Sequence, residues 1–347
     1  MKIVVVSTPI FKLGAAGLAG YGGLEQIAWE CARGLARKGH RVSLVAPDGS
    51  ECPGVEVIHC GPAGQTDEKA AYDRYWKHLL HTDCVVSHDW NKFAYMLKLE
   101  GRMTAPILCV CHAVIPGMFQ TPPPVPKPCV VCISQDQADH FGALHGKYQS
   151  RVCRNGINLD FYKPTGIPRT DRFLFLARFC VEKGPDIALD VCKRVGVGLD
   201  LIGDTQITGQ PEYYHKCMAM ADGKQLRVVG GVPRPEAVHW YSRAHAFLHP
   251  NERFREPLGL APVEAMACGL PCVAWRYGAM KETVKHGETG LLVDSVQEFE
   301  AAVRSLAGGV SDETRRRCRE WAGQFSLDAM VNRYDELVHE AVSTGGW

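Results

Sequence analysis

The sequence predicts an α/β protein made of two doubly wound parallel sheets in tandem, and three observations predict it. Short β-branched runs alternate with helical patterns through the first 157 residues, the pattern of parallel strands joined by crossover helices. A polar stretch with two prolines, 158–172, then interrupts the pattern and reads as a linker. The alternation resumes at Phe173. At 347 residues the chain is about twice the usual domain size, which leaves room for two cores.

The first run, 3–6, is apolar throughout and reads as a buried strand. A glycine-rich loop from Gly14 to Gly23 leads into a helix over 24–38. Further strands are expected at 42–46, 55–59, 84–88, 107–111 and 129–134, with helices at 69–80, 92–99 and 135–144. After the linker, strands are expected at 173–177, 199–202, 226–229, 246–249 and 271–274. Helices at 185–194, 211–221, 235–244 and 260–268 separate them. Beyond Ser295 only helix is expected, and the last one aligns Leu327, Met330, Val331, Tyr334, Leu337 and Val338 in a stripe that must pack somewhere. The expected domains are 1–163 and 164–320, with a final helical segment, 321–347.

Composition narrows the function. A formal charge of +1 gives no global field to attract nucleic acid or anionic lipid. No apolar run reaches the roughly 18–20 residues that cross a bilayer, and the amino terminus lacks a secretory pattern. Fifteen cysteines, mostly inside apolar runs, fit reduced buried thiols and a cytoplasmic protein. Cys109, Cys111, His112, Cys129 and Cys132 assemble into a zinc site on paper, but strand alternation turns neighbours to opposite faces, so no metal is expected.

The chemistry concentrates in 256–264. Glu256 and Glu264 stand eight positions apart across a turn containing Gly259, and in a helix that spacing turns both acids toward one side. Backbone N–H groups of Leu258, Gly259 and Leu260 near a helix start suit a phosphate. Two glutamates beside an apolar helix are ordinarily only favourable first-turn charge; Arg178 and Lys183, both following the strand at 173–177, raise the reading to an anion site. In the first domain Gly22 and Gly23 let backbone approach a ligand closely, although the loop lacks dinucleotide-binding spacing. Two strand ends finish in His88-Asp89-Trp90 and in His112, facing the cleft expected between the two sheets.

On these motifs the chain resembles the retaining glycosyltransferases of family four, of the GT-B fold. The matched features are Gly22-Gly23, His112, Asn155-Gly156-Ile157, Arg178, Lys183-Gly184, the Glu256/Glu264 pair and the run from Gly287 to Val293. The resemblance implies two Rossmann-like domains facing across a cleft, acceptor side first and donor side second, with the last helix returning to the first domain. It implies that Arg178 and Lys183 hold the diphosphate of a nucleotide-sugar donor, UDP-glucose or similar, and that Glu264 binds the ribose. Glu256 and His112 would contact the transferred sugar, with the amides of Gly23 and of residues 258–260 near phosphate or sugar. The acceptor would be a hydroxyl compound beside His88, Asp89 and Trp90. Front-face transfer without metal or cofactor is the implied mechanism. A nucleotide-sugar 2-epimerase of the same fold and a non-catalytic sugar-nucleotide sensor are alternatives; near-neutral charge counts against a nucleic-acid acceptor.

Overall fold

The computed structural model describes residues 1–17, 22–113, 128–144, 149–205 and 210–347. Part of the glycine-rich loop, 18–21, and most of the proline-rich loop at 121–128 lie outside the described residues. The chain forms two compact units, Met1–Gly156 with Leu327–Trp347, and Ile157–Ser326.

The first unit is a seven-stranded parallel sheet. Its elements run β1 (Lys2–Val6), α1 (Gly23–Arg37), β2 (Arg41–Ala46), β3 (Glu56–His59), α2 (Glu68–Leu79), β4 (Cys84–Ser87), α3 (Met96–Leu99), β5 (Ile107–Cys111), β6 (Cys129–Cys132), α4 (Gln135–Leu144) and β7 (Ser150–Val152). The strand order β3-β2-β1-β4-β5-β6-β7 reverses direction between β1 and β4. The helix expected over 92–99 is broken at its start: Lys92 is left-handed at φ 53, a 3-10 turn covers Phe93–Tyr95, and only α3 is α-helical.

The second unit is a six-stranded parallel sheet of order β10-β9-β8-β11-β12-β13. Its elements are β8 (Phe173–Leu176), α5 (Pro185–Val195), β9 (Leu199–Ile202), α6 (Pro211–Met220), β10 (Leu226–Gly230), α7 (Arg234–Arg243), β11 (Phe247–His249), α8 (Leu260–Ala267), β12 (Cys272–Trp275), α9 (Met280–Thr283), β13 (Gly290–Val293), α10 (Val296–Ala307) and α11 (Asp312–Ala322). Phe173, Phe175, Phe179, Leu199, Leu201 and Phe299 fill its core. The stretch read as a linker is held on this unit: Tyr162 is buried, and Arg169 donates to the carbonyls of Cys268 at 2.7 Å and Ala244 at 3.1 Å. Prolines and charges mark it as irregular, but its long side chains find partners.

Two strands escaped the sequence reading. β7 has little apolar character, and β13 opens on Gly290, a residue depleted in strands. Glycine is needed there, since a Cβ would lie 2.1 Å from the Cys272 carbonyl oxygen.

The last helix, α12 (Leu327–Thr344), rejoins the first unit and packs on α1. Its stripe of Met330, Val331, Tyr334, Leu337 and Val338 is buried there. Gly34 of α1 permits the approach, because a Cβ at that position would meet the Val331 side chain at 2.1 Å.

Candidate active site

In an open parallel sheet, ligands sit beyond the carboxyl ends of the strands where the strand order reverses. In the second unit that point lies between β8 and β11. Arg178 and Lys183 follow β8; His249, Asn251 and Glu256 end or follow β11.

Lys183 closes a 3-10 turn, and Gly184, at φ 65, caps α5 ahead of Pro185. A Cβ on Gly184 would stand 2.3 Å from the Pro250 carbonyl oxygen, so glycine brings this turn against the loop after β11. As a result the Lys183 ammonium donates to the Glu256 carboxylate. The ammonium also lies 5.5 Å from the Phe254 ring centroid. A cation ahead of a helix amino terminus opposes the helix dipole; here a protein carboxylate offsets it before any ligand does.

Glu256 is 8% exposed. Its Oε2 accepts from Asn251 Nδ2 at 3.2 Å and lies 3.6 Å from His249 Nε2, beyond hydrogen-bond reach. Burial pushes its carboxyl up, but the Lys183 ammonium and His249 outweigh burial and hold it well below the usual carboxylate range. Gly278, at φ 62, passes so close that a Cβ would sit 2.7 Å from the Glu256 carbonyl oxygen, which accepts from the Ala279 N–H at 2.9 Å.

The expectation that both glutamates share one face of a helix fails. α8 begins at Leu260, so Glu256 belongs to the preceding loop and Glu264 alone is helical. Gly259, at φ 78, makes the turn between them, and no side chain caps α8. Leu258 is buried, with its carbonyl accepting from Thr283 Oγ1 at 2.8 Å. Glu264 accepts from Tyr241 Oη at 3.0 Å; burial first, and then Glu264, push the Tyr241 hydroxyl well above its ordinary pKa. Arg234 Nη2 donates to Tyr162 Oη at 3.0 Å, and Tyr162 adjoins Glu264.

The first unit repeats the geometry at its own reversal point. Gly22, at φ 134, is the cap of α1, whose first residue is Gly23. In the first turn, Glu25 accepts from Thr8 just beyond β1. His88 and Asp89 follow β4, and His112 follows β5. His88 Nδ1 and His112 Nε2 lie 2.8 Å apart with the rings stacked. Burial drives both imidazoles well below the ordinary histidine range, and Lys92 adds to this in each. Asp89 Oδ1 accepts from Ser87, while its buried Oδ2 has no hydrogen-bond partner among the described residues. Glu68 clamps the loop by accepting from the N–H groups of Trp90 at 2.9 Å and Asn91 at 2.7 Å, and Trp90 is 43% exposed.

The structure therefore joins Lys183 to Glu256 and His88 to His112. Sequence reasoning missed His249, Asn251, Tyr241 and Tyr162. The first two carried a usable signal, standing at the carboxyl end of a strand; the tyrosines show nothing until α7 and α8 are placed. Among the described residues, no three of Cys109, Cys111, His112, Cys129 and Cys132 bring their ligand atoms within 4.8 Å of one another, although Cys111 pairs with Cys132 across β5 and β6. No described helix is long and apolar enough to cross a membrane.

Two family models match, running without a gap from residue 21 to residue 324. One is described as Glycosyltransferase Family 4, over residues 21–161, and the other as Glycosyl transferases group 1, over 162–324. The chain is 27% identical to D-inositol 3-phosphate glycosyltransferase 1 of Catenulispora acidiphila, across 99% of this chain and 97% of that one. Among solved structures it resembles sucrose-phosphate synthase of Thermosynechococcus elongatus, with a TM-score of 0.77, 18% identity and coverage of 99% and 100%. It also resembles HepE of Anabaena in complex with UDP and glucose, with a TM-score of 0.75, 17% identity and coverage of 98% and 99%. With two reversing parallel sheets and polar residues at both reversal points, the chain belongs to the family-four glycosyltransferases of the GT-B fold.

Proposed function

We propose that this enzyme moves a hexosyl group from a nucleoside-diphosphate sugar, UDP-glucose or a close relative of it, to a hydroxyl acceptor, with retention and without a metal ion. The observation that carries this is the Lys183–Glu256 pair at the reversal point of the second sheet, beside the uncapped start of α8. HepE bound to UDP and glucose supports the donor, and a relative named for D-inositol 3-phosphate supports a hydroxyl-rich acceptor.

In the proposed step the acceptor oxygen bonds to the anomeric carbon as the bond from that carbon to the β-phosphate oxygen breaks. The acceptor proton passes to the departing phosphate oxygen. Arg178, Lys183 and the amides of residues 258–260 stabilise the charge gathering on the diphosphate, the part a metal plays elsewhere. Glu264, steadied by Tyr241, takes the ribose hydroxyls. Glu256 stays ionised, which suits accepting sugar hydroxyls and facing the positive character of the ring; it cannot serve as a general acid. His112 stays neutral and presents an imidazole to the sugar. The acceptor lies beside His88, Asp89 and Trp90, and the donor is a co-substrate, so no cofactor is required.

The test pairs binding with product stereochemistry. Arg178→Ala should weaken UDP by about 10- to 150-fold, the effect of losing a hydrogen bond to charge. Glu256→Ala should lower kcat by about 100-fold or more. Proton NMR of the product should show the donor's anomeric configuration. An inverted centre, or 2-epimerisation of donor with no acceptor present, overturns the reading.

A further inference from the structure

We propose that His40, Asp335 and His339 form a transition-metal site of the zinc type that pins α12 to the body of the first unit. Asp335 and His339 are four residues apart on α12, so both project from one face of that helix. His40 comes from the turn between α1 and β2, at the amino-terminal edge of the sheet and opposite the strand ends that carry His88 and His112.

His40 Nε2 lies 2.7 Å from Asp335 Oδ1, and His339 Nε2 lies 3.5 Å from the same oxygen. All three ligand atoms fall within 4.8 Å of one another, and among the described residues no other three His, Cys, Asp or Glu side chains do so. Tetrahedral zinc bonds of about 2.0–2.2 Å place ligand atoms roughly 3.4 Å apart. The 2.7 Å and 3.5 Å separations lie within about 0.7 Å of that spacing, and none of the three exceeds it by more than about 1.4 Å.

The mobility needed for that adjustment lies in the right place. The His339 side chain is 64% exposed and free to turn, whereas that of His40 is only 7% exposed. His40 Nδ1 lies 3.3 Å from the Met1 nitrogen; with a metal on Nε2 the ring proton sits on Nδ1 and is donated to that amine in its neutral form. Two imidazoles and a carboxylate suit zinc or cobalt, and three protein ligands leave a fourth position for water or an added ligand.

The full chain, stripped by chelator, is titrated with cobalt(II) and zinc(II) salts. The expected result is one equivalent of cobalt with visible d–d absorption and no near-ultraviolet thiolate-to-cobalt band, together with a zinc-dependent rise in melting temperature. His339→Ala keeps the His40–Asp335 pair and should fold normally, yet lose affinity by about 10-fold or more. Asp335→Asn should behave likewise. Equal binding by His339→Ala and the parent chain, a thiolate band showing capture by the cysteines, or no stoichiometric binding overturns the site.

Discussion

At the scale of single residues, ion pairs and imidazoles are set by burial against neighbouring charge. Lys183 and Glu256 are both largely out of water, and such a pair is worth little net, but removing one partner leaves the other charged and unpaired at a cost of about 3–5 kcal/mol. Loss of activity in Lys183→Ala would thus mix destabilisation with lost phosphate binding. His112 gives the sharpest pH prediction. Burial lowers its pKa to about 3, so between pH 6.5 and 3 the unfolded chain binds a proton there that the folded chain refuses. Stability from this residue is present above pH 6.5 and is lost as pH falls through that window, by up to about 2 kcal/mol at pH 5. In an NMR titration the His112 imidazole should not shift between pH 7.5 and 5; a His112 midpoint near 6.5 defeats the assignment.

At the scale of elements, most strands and helices were legible because apolar runs of period 2 and 3.6 carry their own signal. What was not legible depended on partners elsewhere in the chain. The buried Lys92 halts a helix that its flanking sequence permits, and Gly259 separates two glutamates that spacing alone places on one face. Lys183, Glu256 and Glu264 stood out in the sequence and His249, Asn251, Tyr241 and Tyr162 did not, and the Lys183–Glu256 contact was not legible, since it depends on Gly184 slipping past Pro250. α12 is a similar case: its stripe announced a packing surface, and Gly34 shows which surface. Gly34→Ala should drive a methyl group into Val331 and cost about 1–3 kcal/mol, despite the better helix propensity of alanine. Limited proteolysis should then cut α12 earlier than in the parent chain. Val331→Ala in the same chain should relieve the clash; unchanged cleavage in Gly34→Ala removes the close-packing argument.

At the scale of the whole molecule, the residues assigned to the nucleotide fall within Ile157–Ser326 apart from the Gly22-Gly23 turn, while His112, assigned to the transferred sugar, and the acceptor residues His88, Asp89 and Trp90 fall within the other unit. The division has a thermodynamic consequence. A nucleoside diphosphate without its sugar meets mainly second-unit groups: Arg178, Lys183, Glu264 and the amides of residues 258–260. Binding to the folded state stabilises what is bound by RT ln(1 + [L]/Kd), about 2.7 kcal/mol at one hundred times Kd. Saturating UDP should therefore slow hydrogen exchange in peptides covering 178–184 and 256–264, while peptides covering 84–90 and 107–113 keep their rates. Arg178→Ala should weaken the protection at equal UDP concentration, and raising UDP in proportion to the lost affinity should restore it. Protection centred on 84–90 or 107–113 would instead put the nucleotide in the first unit and reverse the assignment of donor and acceptor.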